Sequence, residues 1–434
     1  MSWNEYLTNR ARKTAGRRKR AYGIEPPPAV SDLLARERPT LSFRESNRLL
    51  IYIFLKSPRR RLKLLWQYLS DRDTPARKRQ VDRLAQDLRP RLSEHCSIAT
   101  TYFKRKISSR DLAHVPALME KILFRTTPYL VVKPENEQDI AIILAFCSSK
   151  GLAVFPRGSG SFAFGGAVPT QNGIVMDLSP MMAILEVQPE KRTIRVQPGT
   201  RWADVAKVLE PYDLVPMTTP TSRFSTVAGW ISTGGMGLDS YAYGSVYESV
   251  KSVRVARPDG SLEELNSSDE SLKDLFGTEG QLGILTEVTL RVRPKPKHSG
   301  VFLLSFEAPE QAFEFIEQLA GKNNHPSHIV FFDREYMKNE NILFAQQTGL
   351  PDPIVPEQDT VLLHFETPEC EQTFLSSLNG NLDPVLKNPV AARYLWAGRY
   401  FPLKAQRISS GLLGAEVVIP PERVSRYITP GISK

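Results

Sequence analysis

Cysteine is scarce and unpatterned. The chain has 434 residues and three cysteines, Cys96, Cys147 and Cys370, which stand far apart and never as CxxC. Neither a disulfide framework nor an iron–sulfur ligand set is readable from them, and a reducing, cytoplasmic compartment fits best. Long apolar runs are missing too. The longest in the N-terminal region, residues 49–55, is seven residues, well under the ~20 needed to span a bilayer. The basic run Arg17-Arg18-Lys19-Arg20 leads into Pro26, Pro27 and Pro28 instead of an apolar stretch, so no export signal is expected. There is no GK[ST] phosphate loop, no zinc-finger spacing and no RNA-binding signature, so neither an ATP site nor a nucleic-acid partner is expected.

Acidic residues are sparse at one end. Residues 1–106 hold 26 Lys and Arg against 10 Asp and Glu, whereas residues 107–434 hold 31 against 37. The net charge of +10 is therefore entirely N-terminal. A split of this kind points to an anionic partner for the first hundred residues, with peripheral contact at the inner face of a membrane as one form of it. Residues 1–30 are polar, basic and closed by prolines, which predicts a disordered arm. From residue 41 to about 92, Leu49, Ile53, Leu62, Leu65 and Leu69 recur on helical faces, and a small helical region is expected.

The pattern then changes to short strands and helices. Strands are expected over residues 129–132, 152–155, 174–177, 193–196, 250–256 and 284–292, with a helix over 135–150 and another leading in from residue 111. Pro294 and Pro296 mark a boundary. Beyond it, strands near 301–306, 329–333 and 361–365 alternate with helices near 311–319 and 369–378.

Three glycine-rich segments carry the chemistry. The first, residues 156–169, reads PRGSGSFAFGGAVP. Its glycines permit tight turns that aim successive N–H groups into one concavity suited to a pyrophosphate, and Arg157, Ser159 and Ser161 add charge and donors. It lacks the third glycine of GxGxxG, which disfavours a nicotinamide site. The second, residues 225–244, reads STVAGWISTGGMGLDSYAYG, with Asp239 as its one charge. Such a stretch lets backbone approach a flat ring closely. The third, residues 277–294, reads GTEGQLGILTEVTLRVRP, a turn feeding a strand. His325 and His328 in HPSH lack a third ligand, so no metal is expected.

In this order and at these separations, the segments resemble the FAD domain of the vanillyl-alcohol oxidase and p-cresol methylhydroxylase type, closest in look to D-lactate dehydrogenases and glycolate oxidase FAD subunits. The likeness runs over about residues 128–296. It implies an α+β fold: a two-subdomain FAD-binding domain over 107–297, a partial α+β cap over 298–434, and a basic helical extension over 1–106. It implies that Pro156, Arg157, Gly158, Ser159, Gly160 and Ser161 hold the pyrophosphate. Thr221, Ser225, Thr226, Gly229, Ser232, Gly234, Gly235, Gly237 and Gly244 would line the flavin, and Glu279, Gly280, Gly283 and Ile284 would close over the adenosine side. Many relatives tether the flavin through a histidine where this chain has Ser161, so non-covalent FAD is expected.

The activity implied is flavin-dependent oxidation of a 2-hydroxy acid or related alcohol. In the cap, Asp333 follows an aromatic strand, Trp396-Ala-Gly-Arg399 resembles a WxxR segment, and residues 414–420 resemble the strand after it. Arg399 is the expected substrate carboxylate clamp. The HAGDGN-like histidine motif of relatives has no counterpart in this sequence. Two alternatives therefore stand beside this activity: a truncated or degenerate FAD-binding chain without turnover, and one subunit of a split flavoprotein whose missing cap half or electron acceptor, such as an electron-acceptor protein or iron–sulfur subunit, is supplied by a partner chain.

Overall fold

The computed structural model describes residues 73–113, 127–320, 326–378, 389–400 and 420–425. The expected arm, the helices over residues 41–72, the helical lead-in over 114–126, His325 and most of the stretch 414–420 lie outside the described residues.

The first unit opens with α1 (Pro75–Leu88), which starts on a proline and is capped by Thr74, whose hydroxyl accepts from the Arg77 amide at 3.2 Å. After β1 (Ser97–Ala99) and α2 (Tyr102–Ile107) come β2 (Leu130–Lys133), α3 (Glu137–Lys150), β3 (Ala153–Arg157) and β4 (Gly173–Asp177). The sheet order is β1-β2-β4-β3, with β2, β4 and β3 parallel and β1 antiparallel at the edge. Parallel neighbours require a crossover, which α3 supplies. It begins at the Asn136 cap and ends at Gly151 in the left-handed region.

Val81, Leu84, Leu88 and Cys96 pack in one core with Ile140, Ile143, Phe146 and Met176. Residues from 75 onward are thus built into the same body as the parallel sheet, where the sequence had suggested a separate extension ending at 106. The basic charge there is also partly internal. Arg105 is fully buried, paired with Asp73 at 2.6 Å and donating to the carbonyls of Thr100 and Pro128 at 2.8 and 2.9 Å. Arg77 is buried on the carbonyl of Thr127 and on Asn172.

The second sheet is antiparallel, built from β5 (Ile184–Gln188), β6 (Thr193–Val196), β7 (Leu214–Pro216), β8 (Val250–Ala256), β9 (Leu262–Asn266) and β10 (Ile284–Pro294). The order is β5-β6-β10-β8-β9, with β7 paired to the end of β10. Val288, Leu290 and Val292 of β10 face a core shared with Val253, Val255, Val227 and Ile231, each such burial contributing roughly 1.5–3 kcal/mol. Helices α4 (Trp202–Leu209), α5 (Val227–Ser232), α6 (Ser240–Tyr243) and α7 (Val246–Ser249) join β6 to β8. Ala256 and Ile284 also belong to the first core, and Arg254 grips Glu137 at 2.9 and 2.8 Å, so the two sheets form one body.

The second unit has β11 (Gly300–Phe306), α8 (Pro309–Ala320), β12 (His328–Phe332), α9 (Arg334–Thr348), β13 (Asp359–Phe365), α10 (Pro368–Ser377) and α11 (Pro389–Gly398). Its antiparallel sheet runs β11-β13-β12. Alternation on the central strand puts Val361, Leu363 and Phe365 with α8 and α10, and Leu362 with α9 and α11. By the same period His364 lies on the α11 side. Asp333 serves as the cap of α9, its carboxylate accepting from the Tyr336 amide at 2.6 Å.

Candidate functional site

The three glycine segments meet. Arg157 ends β3 opposite Asp177 of β4 and hands the chain to the first turn. A Cβ on Gly158 would overlap the hydroxyl of Thr226 in the second segment, and one on Gly160, at φ 63°, would overlap the Arg157 guanidinium. Gly166 lies against the Glu279 carboxylate and Gly280 against Pro156, so the third segment closes the other side. The Glu279 amide donates to the Ser232 carbonyl at 2.9 Å, tying third to second. Ser159 and Ser161 share a 3.0 Å hydroxyl bond at the loop surface.

Inside this turn, Nη1 of Arg157 is buried without a hydrogen-bond partner among the described residues. Burial lowers the guanidinium pKa, against the pull of Asp177 and Asp111. A buried cationic N–H left unpaired is costly. An anionic oxygen in the turn would satisfy it.

The second segment brings its backbone close to its neighbours at several glycines. Gly229 and Ser232 lie within α5, Gly235 and Gly237 pack on the Trp230 indole, and Gly237 also touches the Thr219 carbonyl. Gly234 rests on Gly277, Gly244 ends α6, and Ser225 is fixed by its hydroxyl on the Ser222 carbonyl at 2.7 Å, just after Thr221. Beyond Gly280 a cleft opens, lined by Leu144, Val154, Pro156, Ala256, Gly283 and Ile284. Cys147 borders it as a packing residue, its thiol pushed up to about 12 by burial.

A buried polar cluster joins the second segment to the second unit. Arg293 of β10 donates to both Glu366 oxygens at 3.0 and 2.9 Å and to Asp239 Oδ2 at 3.1 Å, and stacks on Tyr243 at 4.1 Å. The Tyr243 hydroxyl donates to Glu366 at 2.7 Å. His364 lies between the hydroxyls of Ser299 at 2.9 Å and Ser327 at 2.6 Å, stacked on Trp396 at 4.1 Å. Arg399 lies 3.7 Å over the Trp396 ring and 4.3 Å over that of Tyr400. Its Nη1 donates to the Trp396 carbonyl, its Nη2 to the Tyr400 hydroxyl at 3.1 Å, and its Nε is buried without a partner among the described residues.

Asp239, His364 and Glu366 offer ligand atoms within 4.8 Å of one another. The arrangement does not suit a metal. Arg293 already neutralises both carboxylates, and both ring nitrogens of His364 are engaged.

Burial holds His364 down at about 3 and His328 at about 4, and lifts Asp239 to about 6 against the pull of Arg293. The two histidines are neutral in the folded chain while the unfolded chain protonates them below ~6.5, so their contribution is lost as pH falls. Asp239 works the other way, staying protonated below 6 where the unfolded carboxyl is ionised down to about 4. Two protons outweigh one, and at ~1.4 kcal/mol per proton and pH unit the net loss is ~1.4 kcal/mol for each unit between about pH 6 and 4. Thermal unfolding across that range should show the melting temperature dropping on acidification, with a shallower slope in His364→Gln. A flat profile, or an unchanged slope in the variant, would count against these burials.

Comparison with known proteins bears on the cradle directly. Residues 128–266 match the family described as an FAD binding domain. This segment is an FAD binding domain. The glycolate oxidase subunit GlcD of Escherichia coli (strain K12) is 33% identical over 196 residues, 44% of this chain and 39% of that protein. The D-lactate dehydrogenase of Archaeoglobus fulgidus is 31% identical over 201 residues, 45% of each chain. That of Anaerostipes hadrus is 24% identical over 335 residues, 70% of this chain and 68% of that one. The chain thus spans about two fifths of the length of the GlcD subunit it matches. A solved structure of alkyldihydroxyacetonephosphate synthase superposes with a TM-score of 0.61 at 20% identity, over 75% of this chain and 68% of that one, which shows a shared fold.

The residues of the FAD domain fit the cofactor, with an Arg157 donor that has no partner among the described residues inside a backbone concavity and a cleft of mixed polarity beside it. The sequence reading missed Arg293, Glu366, His364 and Tyr243. Asp239 had one signal, as the lone charge of its segment, whereas Arg293 had none, because the alternation that buries Val288, Leu290 and Val292 puts residue 293 on the other face. His328, passed over as a metal ligand, begins β12 and stands in the cluster. Among the described residues no helix is long and apolar enough to cross a membrane.

Proposed function

We propose that the chain is a flavin-dependent oxidoreductase acting on the CH–OH group of a 2-hydroxy acid or related alcohol, with FAD held non-covalently. The observation that carries this reading is the partly paired Arg399, a guanidinium with one buried free N–H, held where the second unit meets the Asp239 end of the flavin-lining segment. A carboxylate is the natural partner for such a donor.

Bound FAD supplies the two-electron acceptor. The chain's part is binding and orientation. Arg157 and the turn from Gly158 to Ser161 take the pyrophosphate. The second segment, Thr226 and Gly234 to Gly237 above all, lies along the ring system, and Gly280, Gly283 and Ile284 cover the adenosine side. Arg399 fixes the substrate carboxylate so that C2 has one orientation.

Non-covalent binding has a simple check. Ser161 has no ring nitrogen to bond the flavin, and Cys147 is buried as a neutral thiol, so acid or heat denaturation followed by filtration should release all the flavin. Yellow colour retained on the denatured chain would overturn it.

A second reading is that the chain is one component of a larger flavoprotein. The name of GlcD as a subunit favours it. An electron-acceptor protein or an iron–sulfur subunit would then take the electrons onward. Peripheral contact with an anionic membrane belongs to the same proposal and rests on the 26 basic residues among the first 106.

A further inference from the structure

We infer that Asp239 is the catalytic base of this site, accepting the proton of the substrate hydroxyl on the side opposite Arg399. The inference rests on the reading of the chain as a hydroxy-acid oxidoreductase and adds the group that such a reaction needs.

The other acid–base groups of the cluster are already engaged. Glu366 has both oxygens committed to neighbours, accepting two bonds from Arg293 and one from Tyr243. His364 has both ring nitrogens engaged by Ser299 and Ser327. His328 accepts the Asp239 amide at Nδ1 over 3.4 Å. A neutral imidazole accepting there carries its proton on Nε2 and has no lone pair left for a substrate.

Asp239 differs from all three. Its Oδ2 rests on Arg293, while Oδ1 accepts no hydrogen bond among the described residues. Its backbone is pinned in the left-handed region at φ 66°, an uncommon place for a non-glycine residue. The carbonyl accepts the amides of Ala242 and Tyr243 at 3.1 and 3.0 Å, and the amide is spent on His328. The carboxylate is thereby fixed at the end of the Gly234–Gly237 stretch that lines the flavin in the proposed arrangement.

The groups facing it come from every element around it: Arg293 of β10, Tyr243 of α6, His328 of β12, His364 of β13, Glu366 just beyond β13, and Arg399 just beyond α11. Burial raises Asp239 to about 6, tempered chiefly by Arg293 and raised further by Glu366. A carboxylate of that strength is ionised at neutral pH yet basic enough to share a hydroxyl proton. In the step, the substrate O–H bond breaks and its proton passes to Oδ1. The electron pair left on oxygen would form the C=O bond of the 2-oxo acid as C2 loses its hydrogen with the bonding pair, for which bound FAD would supply the two-electron acceptor.

The test uses the full chain with its FAD, as wild type and Asp239→Asn, mixed anaerobically with D-lactate or glycolate at about pH 5 to 8. The wild-type rate of flavin bleaching should rise with pH through an inflection near 6. Without substrate, the visible spectrum of the bound flavin should show the same inflection as the neighbouring charge changes. Asp239→Asn should retain FAD, lose the spectral inflection and bleach ~100-fold more slowly, as expected for loss of a general base. Bleaching within threefold of wild type in that variant, or a wild-type rate flat across the range, would overturn the assignment. If the variant loses FAD, the two wild-type profiles decide. If neither acid bleaches the wild type, the substrate reading falls and the assignment goes with it.

Discussion

Replacing Gly160 with valine should yield chain that purifies almost free of flavin. Two costs coincide there. The backbone sits at φ 63°, where a β-branched residue is strained by roughly 1–3 kcal/mol, and the new side chain would occupy the space of the Arg157 guanidinium. Moving that group removes a charged hydrogen bond to the pyrophosphate worth about 1.5–3 kcal/mol. That loss alone corresponds to roughly 10- to 100-fold in affinity, while the strain weakens the fold with or without flavin. Gly151, at φ 62° with nothing within 4 Å of its would-be Cβ, is the control, since it bears the backbone strain without the cradle. Gly151→Ala should lower stability by ~1 kcal/mol and keep its flavin. Moles of flavin per mole of chain decide the matter, and full occupancy in Gly160→Val would remove the first turn from the site.

The second large effect is expected at Arg399. Methionine preserves much of the length and the contact with Trp396 but removes every N–H. If the guanidinium holds the substrate carboxylate, the loss is that of a charge-assisted bidentate contact, ~3 kcal/mol or about 100-fold in the rate of flavin reduction by D-lactate at low concentration. An alcohol without a carboxylate should be oxidised equally well by both proteins. That contrast separates a clamp from a packing residue, because the stacking of Arg399 between Trp396 and Tyr400 is itself sufficient to explain its presence. Equal reduction by D-lactate in both proteins would leave stacking as its whole role.

The FAD domain was legible because its chemistry is local. A pyrophosphate turn needs glycine at fixed spacing, and a half-buried strand needs alternation, so β6 and β8 fall where their valines and isoleucines placed them. The elements overlooked carry weak local signals. Strands β1 and β7 are three residues each, β9 reads LEELN with most of its side chains in solvent, and α9 buries only Met337, Glu340, Asn341 and Leu343 of its 15 residues. The cluster between the units was hidden for a different reason. Asp239, Arg293, His328, Glu366 and Arg399 belong to five segments whose meeting depends on how the sheet of the second unit docks, which no local pattern encodes. The basic count of the first hundred residues also overstated the solvated charge, since Arg77 and Arg105 are spent inside the fold.

The central claim, that this FAD domain serves oxidation of a carboxylate-bearing alcohol, is tested most directly by the reductive half-reaction. Full-length chain carrying FAD is mixed without oxygen with D-lactate, glycolate and longer 2-hydroxy acids, and the flavin spectrum is followed. Bleaching by at least one of these acids, with the matching 2-oxo acid formed in equal amount to the flavin reduced, is the expected result. A spectrum unchanged by all of them, in protein that holds FAD stoichiometrically, would contradict the account.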